Sequence, residues 1–222
     1  MSNLNIADFQ YSNEIYELEF KRILTGITAC YQIMLNDNVT MPNDENKIRD
    51  TLRKKYLNNR RIRDQIGFTG RYVVEREVPE DNDTGRVDIK IITQNTLVEP
   101  EAYYIIECKR LDNKNLTGIS GLNAAYINDG IMRFIKEKYS AYYGINGMLG
   151  FVVKRMSIVK NVKNINKLLR QKFKCAKTQK KLTAVNFIKK FKHSYYSIHK
   201  VSRVGKIKLY HLMFDFSKNI EN

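Results

Sequence analysis

The chain reads as an α/β domain with a central mixed β-sheet flanked by helices. Three observations predict it. Helix-spaced segments stand on both sides of a middle region in which short alternating runs follow one another. The run 102–108 is almost continuously apolar, as expected of a strand buried on both faces. No repeat and no long linker interrupts the 222 residues, a length that buries a sizeable core in one domain.

Each element has its own warrant. Over 13–35, Tyr16, Phe20, Ile23, Ile27, Cys30 and Met34 alternate spacings of four and three, giving one apolar stripe. That stripe packs on the main domain or faces a partner helix in a homodimer. Asn36-Asp37-Asn38 ends the helix, and Met41-Pro42-Asn43-Asp44 resets the chain. A second helix over 44–58 takes its cap from Asn43 or Asp44. Ile48, Leu52 and Tyr56 form its inward face, and Glu45 lies one turn earlier along it. Strands follow at 71–78, 87–93 and 102–108, the first two separated by a polar turn at 80–85. A helix over 121–139 carries Leu122, Tyr126, Ile127, Ile131, Phe134 and Ile135 on one side. Gly130 inside it costs about 1 kcal/mol relative to Ala, so either a neighbour approaches closely or the helix bends. The run 147–153 is an apolar strand, and 157–174 is a basic helix with Ile158, Val162, Ile165 and Leu168 on one face. Residues 195–201 and 207–216 form a final hairpin around Arg203-Val204-Gly205.

Composition narrows the function. No apolar run reaches the ~18 residues that span a bilayer, and the polar, acidic N-terminus has no signal-peptide pattern. Cys30, Cys108 and Cys175 are far apart and odd in number, which fits neither a zinc spacing nor a disulfide framework. A reducing cytoplasm is the expected compartment. The net charge is +16, and its excess lies in the last third, where 154–222 holds 19 Lys and Arg against Asp215 and Glu221. That asymmetry points to a polyanion, nucleic acid above all, and away from a membrane. The aromatic and basic mixture at 187–200, with Lys189, Lys190 and Lys192, suits a surface that follows phosphates.

The most informative stretch is 85–110. Two apolar strand-like runs each carry a carboxylate, Asp88 and Glu107, and Lys109 follows Glu107 by two positions. Residues i and i+2 of a strand share a face, so Glu107 and Lys109 point together and Cys108 points away. If the two runs pair as a hairpin, Asp88 comes beside Glu107. Charges ending so apolar a run are costly unless paired or bound to metal.

With Glu45 on the preceding helix, these residues resemble the PD-(D/E)XK nuclease superfamily. The match is Glu45, Asp88 and Glu107-Cys108-Lys109, followed by the helix over 121–139 and the strand over 147–153. It covers 43–153. Val87 stands where the family name has Pro, and no Gln occupies the following helix, where Tyr126, Asp129 and Arg133 stand instead. The resemblance implies a restriction-endonuclease-like core over 43–153. The region 1–40 is then a helical extension, and 154–222 a basic part completing the sheet. It implies Mg²⁺ or Mn²⁺ held by Asp88, Glu107 and the Cys108 backbone carbonyl. Glu45 then binds metal through water or takes a second ion, and Lys109 orients or helps deprotonate the attacking water. Arg86, Arg110, Tyr126 and Arg133 become candidates for phosphate contact or support of the metal ligands. The Cys108 side chain is expected to be buried and structural. His193, His199 and His211 lack a zinc-spaced partner cluster and are expected in the core or an interface.

The expected activity is metal-dependent phosphodiester hydrolysis, with DNA favoured, in a prokaryotic defence or mobile-element setting. The alternatives are an RNase or single-strand nuclease, a nucleic-acid-binding module on an inactive nuclease fold, or a subunit gated by a partner in a larger defence complex.

Overall fold

The computed structural model describes residues 6–75, 78–79, 86–136 and 142–221. In chain order the elements begin with helix α1 (Ile6–Asn36), then α2 (Glu45–Thr51), which continues as a π-helical stretch Leu52–Leu57, and α3 (Arg60–Gln65). Strands β1 (Val73–Glu75), β2 (Val78–Pro79), β3 (Arg86–Val87), β4 (Ile89–Ile92) and β5 (Tyr103–Leu111) follow. Next come α4 (Leu122–Ala125), a second π-helical stretch Tyr126–Ile131, α5 (Met132–Ile135) and β6 (Ile145–Val152). Helix α6 (Ile158–Gln171) and strands β7 (Thr178–Ala184), β8 (Ser194–Lys200) and β9 (Lys206–Asp215) complete the fold.

Seven strands form one mixed sheet in the order β1-β4-β5-β6-β9-β8-β7, and β2 pairs with β3 as a separate ribbon. The α/β class read from the sequence therefore holds. Strands β5, β6 and β9 run parallel, with Leu111, Val152 and Asp215 in register at their carboxyl ends. Strand β4 is antiparallel to β5 and enters at that same end, since Ile89 pairs with Ile106 and Ile92 with Tyr103. The β7–β8 loop also lies there, because Ser194 pairs with Leu212 near the end of β9.

Alternation along β5 separates two cores. Tyr104, Ile106 and Cys108 join Phe20, Ile23, Ile27 and Met34 of α1. Tyr103, Ile105 and Leu111 join Tyr126, Phe134, Ile165 and Leu168 on the other face. The α1 stripe is thus consumed by the sheet: Phe20, Ile23, Ile27, Cys30 and Met34 have no exposed surface, which removes the basis for a helix-to-helix dimer through it. Asp44 caps α2 by accepting from the Lys47 N–H at 2.9 Å.

Two features were not read from the sequence. Helix α3 and strand β7 have too few apolar residues to announce themselves; in β7 only Leu182 is buried. The final hairpin is not terminal in space, because β9 inserts between β6 and β8 at the centre of the sheet. The helix over 121–139 is α4 and α5 joined by a π-helical stretch, and its expected end lies outside the described residues. So do the turn at 80–85 and the side chain of Arg86. Among the described residues no helix is long and apolar enough to cross a membrane.

Candidate active site

Strand β4 begins at Ile89, so β5 continues past it toward the carboxyl end of the sheet. There the edge N–H groups of β5 lose their strand partner, and two carboxylates take its place. Asp88, in a bend between β3 and β4, accepts from the Cys108 N–H at 2.8 Å through Oδ2. Glu45, on the first turn of α2, accepts from the Arg110 N–H at 2.9 Å through Oε2. Both acids therefore satisfy backbone donors, buried at Cys108 and partly buried at Arg110, that would otherwise cost free energy.

Lys109 gathers the cluster. Its ammonium donates to Glu107 Oε1 at 2.8 Å, to the Cys108 carbonyl at 2.8 Å and to Glu45 Oε1 at 3.0 Å. Asp88 Oδ2 stands 3.9 Å away. The three N–H donors of the ammonium are thereby all used. Glu107 is fully buried, Lys109 nearly so, and Arg133 of α5 completes the second carboxylate with Nη1–Oε1 at 3.0 Å. Burial pushes the Glu107 carboxyl up to about 7, with the Asp88 charge adding to it and Lys109 and Arg133 opposing. Burial works against the Lys109 ammonium, but Glu107, Asp88 and Glu45 outweigh it and hold its pKa above the ordinary lysine value. A lysine so held has no free lone pair. In this arrangement it donates hydrogen bonds and positive charge to the cluster.

The helix behind Lys109 must come close. A Cβ on Gly130 would stand 2.5 Å from Met148 Cε and 3.4 Å from Lys109 Cγ. Gly130 lies in the π-helical stretch, so the close approach and the local irregularity expected from this glycine both occur.

Sequence reasoning missed Arg49. It is almost completely buried and donates from Nη1 to Asp88 Oδ1 at 2.7 Å, with a second contact to Asp50 at 3.2 Å. The signal was its spacing: Arg49 follows Glu45 by four residues, so both project from one face of α2.

Other expected residues fall elsewhere. Tyr126 is fully buried and its hydroxyl meets His211 Nδ1 at 2.8 Å, so that hydroxyl is committed to the histidine rather than to a carboxylate. His211 Nε2 and His199 Nε2 each lie 2.8 Å from Ser197 Oγ, and His199 Nδ1 lies 2.9 Å from the Ala176 carbonyl. The carbonyl only accepts, so the donors run one way: His199 Nδ1–H to Ala176, Ser197 O–H to His199, His211 Nε2–H to Ser197, Tyr126 O–H to His211. The chain is fully satisfied with both imidazoles neutral. Burial lowers His199 to about 4 and His211 well below the ordinary value. Arg110 donates from Nη1 to the Asn43 carbonyl at 2.7 Å and to Asn43 Oδ1 at 2.8 Å. These bonds clasp β5 to the start of α2. Cys108 is fully buried and burial raises its thiol well above the ordinary value, in keeping with a structural role.

The donor set suits a small hard cation. Three carboxylates and one carbonyl, all oxygen, converge on the single position held by the Lys109 ammonium, and oxygen ligands are what Mg²⁺ and Mn²⁺ take. Their spacing is that of a cage closed on an ammonium. Among the described residues no group of three His, Cys, Asp or Glu stands ready to hold a metal.

Lys189, Lys190 and Lys192 are exposed on the β7–β8 loop, whereas the aromatics around them turn inward. Phe191 packs near Phe214 and Phe187 near Tyr210, so they do not form a base-stacking surface. Comparison of the chain with protein-family models, with curated proteins and with solved structures returned no match.

Proposed function

We propose that the chain is a metal-dependent nuclease of the PD-(D/E)XK kind, hydrolysing phosphodiester bonds at the Glu45–Asp88–Glu107–Lys109 cluster. One observation carries the reading: the four oxygen donors picked out in the sequence, from three separate elements, meet around one cation position. The element order is compatible with a restriction-endonuclease-like core, in which α2 supplies Glu45, the β4–β5 hairpin supplies the remaining acids, and α4–α5 and β6 follow. DNA is the favoured substrate, on the charge of the last third.

Asp88, Glu107, the Cys108 carbonyl and Glu45 would hold Mg²⁺ or Mn²⁺. The ion supplies charge neutralisation at phosphorus and an acidified water. Lys109 as an ammonium orients that water or donates to a phosphate oxygen where negative charge grows. Arg49 fixes the Asp88 carboxylate and Arg133 that of Glu107. The Lys109 ammonium occupies the position on which those oxygens converge, so it would have to give up these contacts for the same oxygens to hold a metal.

A second reading has its own observation. Asp88 and Glu45 already cap β5 backbone donors, which is what a structural cluster in an inactive nucleic-acid-binding module would do. A substrate panel separates the two: duplex and single-stranded DNA and RNA, each with Mg²⁺, Mn²⁺ or EDTA. Metal-dependent cutting of one substrate supports the nuclease. Retention of nucleic acid with no cutting under either metal supports the binding module.

A further inference from the structure

The basic excess of the last third is not gathered on one face. Lys174, Lys177, Lys200 and Lys206 cluster at the amino end of the parallel strands, where Lys200 pairs with Lys206 and the Lys200 N–H meets the Lys177 carbonyl. A second group stands at the carboxyl end, with the carboxylate cluster. Lys154 and Arg155 leave β6 two and three residues past Val152, and Asn113 Nδ2 donates to the Arg155 carbonyl at 3.4 Å, tying that loop to the exit of β5. Lys189, Lys190 and Lys192 occupy the β7–β8 loop. Its height in the sheet is fixed, because the Met213 N–H donates to the His193 carbonyl at 3.0 Å. Met213 is in register with Gly150, and Gly150 with Lys109. Lys192, one residue before His193, therefore lies near the level of Arg110.

The five side chains are all exposed, and none has an acidic partner among the described residues. Lys190 adopts a left-handed backbone, φ +63°, at the loop tip. A lysine held in that conformation is uncommon and presents its side chain at the apex. Strands β5 and β8 are separated by β6 and β9, so three inter-strand spacings of ~4.8 Å put the loop about 14 Å from the carboxylates. That is roughly four base-pair rises of ~3.4 Å.

We infer that Lys154 and Arg155 with Lys189, Lys190 and Lys192 form a phosphate track that seats a nucleic-acid duplex across the carboxyl end of the sheet, about four base pairs from the carboxylate cluster. The basic group at the opposite end is not part of it. The inference rests on the nuclease reading only for its orientation toward the cluster; binding itself needs no metal.

The test is binding of a fluorescein-labelled DNA duplex in EDTA, by anisotropy at several salt concentrations. One variant carries Lys189→Gln, Lys190→Gln and Lys192→Gln, and a control carries Lys174→Gln, Lys177→Gln and Lys200→Gln. Both remove the same charge from exposed positions. The loop variant is expected to bind about tenfold more weakly, with its log–log salt slope shallower by about 2–3, as loss of three phosphate contacts requires. The control is expected to stay within about twofold of wild type. A further variant, Lys154→Gln with Arg155→Gln, is expected to weaken binding and flatten the slope by about 2. Equal losses from the loop variant and the control, or no loss from either track variant, overturns the track. Wild-type cleavage with equal losses leaves the nuclease standing without the track. Track-dependent binding with no cleavage under any metal leaves the track standing without the nuclease.

Discussion

Asp88 shows how one side chain can serve structure and chemistry together. One oxygen holds the Cys108 N–H and the other holds the Arg49 guanidinium. Both partners are buried, so removing either member leaves an uncompensated charge. Arg49→Met is expected to lower stability by about 3 kcal/mol, read from urea unfolding, and to lower cleavage through loss of Asp88 orientation. A loss under about 1 kcal/mol would mean that Asp88 is held without it. Cys108→Ala makes the opposite case. It removes one buried sulfur from a strand whose backbone provides the functional group, so unfolding free energy is expected to drop by about 1 kcal/mol while cleavage persists. Loss of cleavage in a folded Cys108→Ala protein would give the thiol a role that the burial of Cys108 denies it. The Glu107–Lys109 pairing was legible from strand alternation. The role of Arg49 was not, because a lone arginine on a helix in a Lys- and Arg-rich chain gives no sign of burial until the opposite charge across the fold is known.

At the scale of elements, two contacts decide how the helices sit on the sheet. Glu17 of α1 accepts from Lys208 Nζ of β9 at 2.8 Å and from Lys21 on its own helix at 2.8 Å. Burial raises its pKa, but the hydrogen bonds from Lys208, Lys21 and Tyr210 prevail and bring it down to about 2. A carboxyl with a depressed folded value stabilises the fold above its unfolded value near 4.5, and that contribution is lost as the pH falls toward 2. The sign is the same for His199. Its folded value of about 4 lies below 6.5, so its neutral form stabilises above 6.5 and that contribution is lost as the pH falls toward 4. The two groups act in separate windows, 6.5 to 4 for His199 and 4.5 to 2 for Glu17, while Glu107, raised to about 7, has the opposite sign and adds stability as the pH falls from 7 to 4.5. The thermal midpoint is therefore expected to fall below pH 4.5, and Glu17→Gln should flatten that fall; an acid limb unchanged by Glu17→Gln would refute the Glu17 anchor. The second contact is Gly130 against Met148 and Lys109. Gly130→Ala gains about 1 kcal/mol of helix propensity but overpacks the helix–sheet interface by about 1–3 kcal/mol. The net effect on unfolding free energy is expected to be destabilising by up to about 2 kcal/mol, with a loss of cleavage as Lys109 is displaced. The irregular helix was anticipated at Gly130 because the glycine broke an apolar pattern. The π-helical stretch Leu52–Leu57 was not, because its residues are ordinary helix formers.

At the scale of the molecule, the fold brings the sequence's separate signals to one end of a sheet. The central strands were readable because β5 and β6 are buried on both faces and show nearly continuous apolar runs. The position of β9 was not, since the hairpin 194–215 looks the same in sequence whether it ends the sheet or inserts into it. That insertion carries the β7–β8 loop to the end where Glu45, Asp88, Glu107 and Lys109 meet. It also places much of the remaining basic charge at the other end, which net charge alone does not separate.

The most direct measurement compares wild type with Lys109→Met in parallel, scoring cleavage of plasmid and oligonucleotide substrates and Mn²⁺ binding by electron paramagnetic resonance. Wild type is expected to cut with Mg²⁺ or Mn²⁺ and to stop in EDTA. Lys109→Met is expected to lose cleavage by at least about 100-fold while binding Mn²⁺ as tightly as wild type or more tightly, because the competing ammonium is gone. Equal cleavage by the two proteins, or no Mn²⁺ bound by either, would contradict the account.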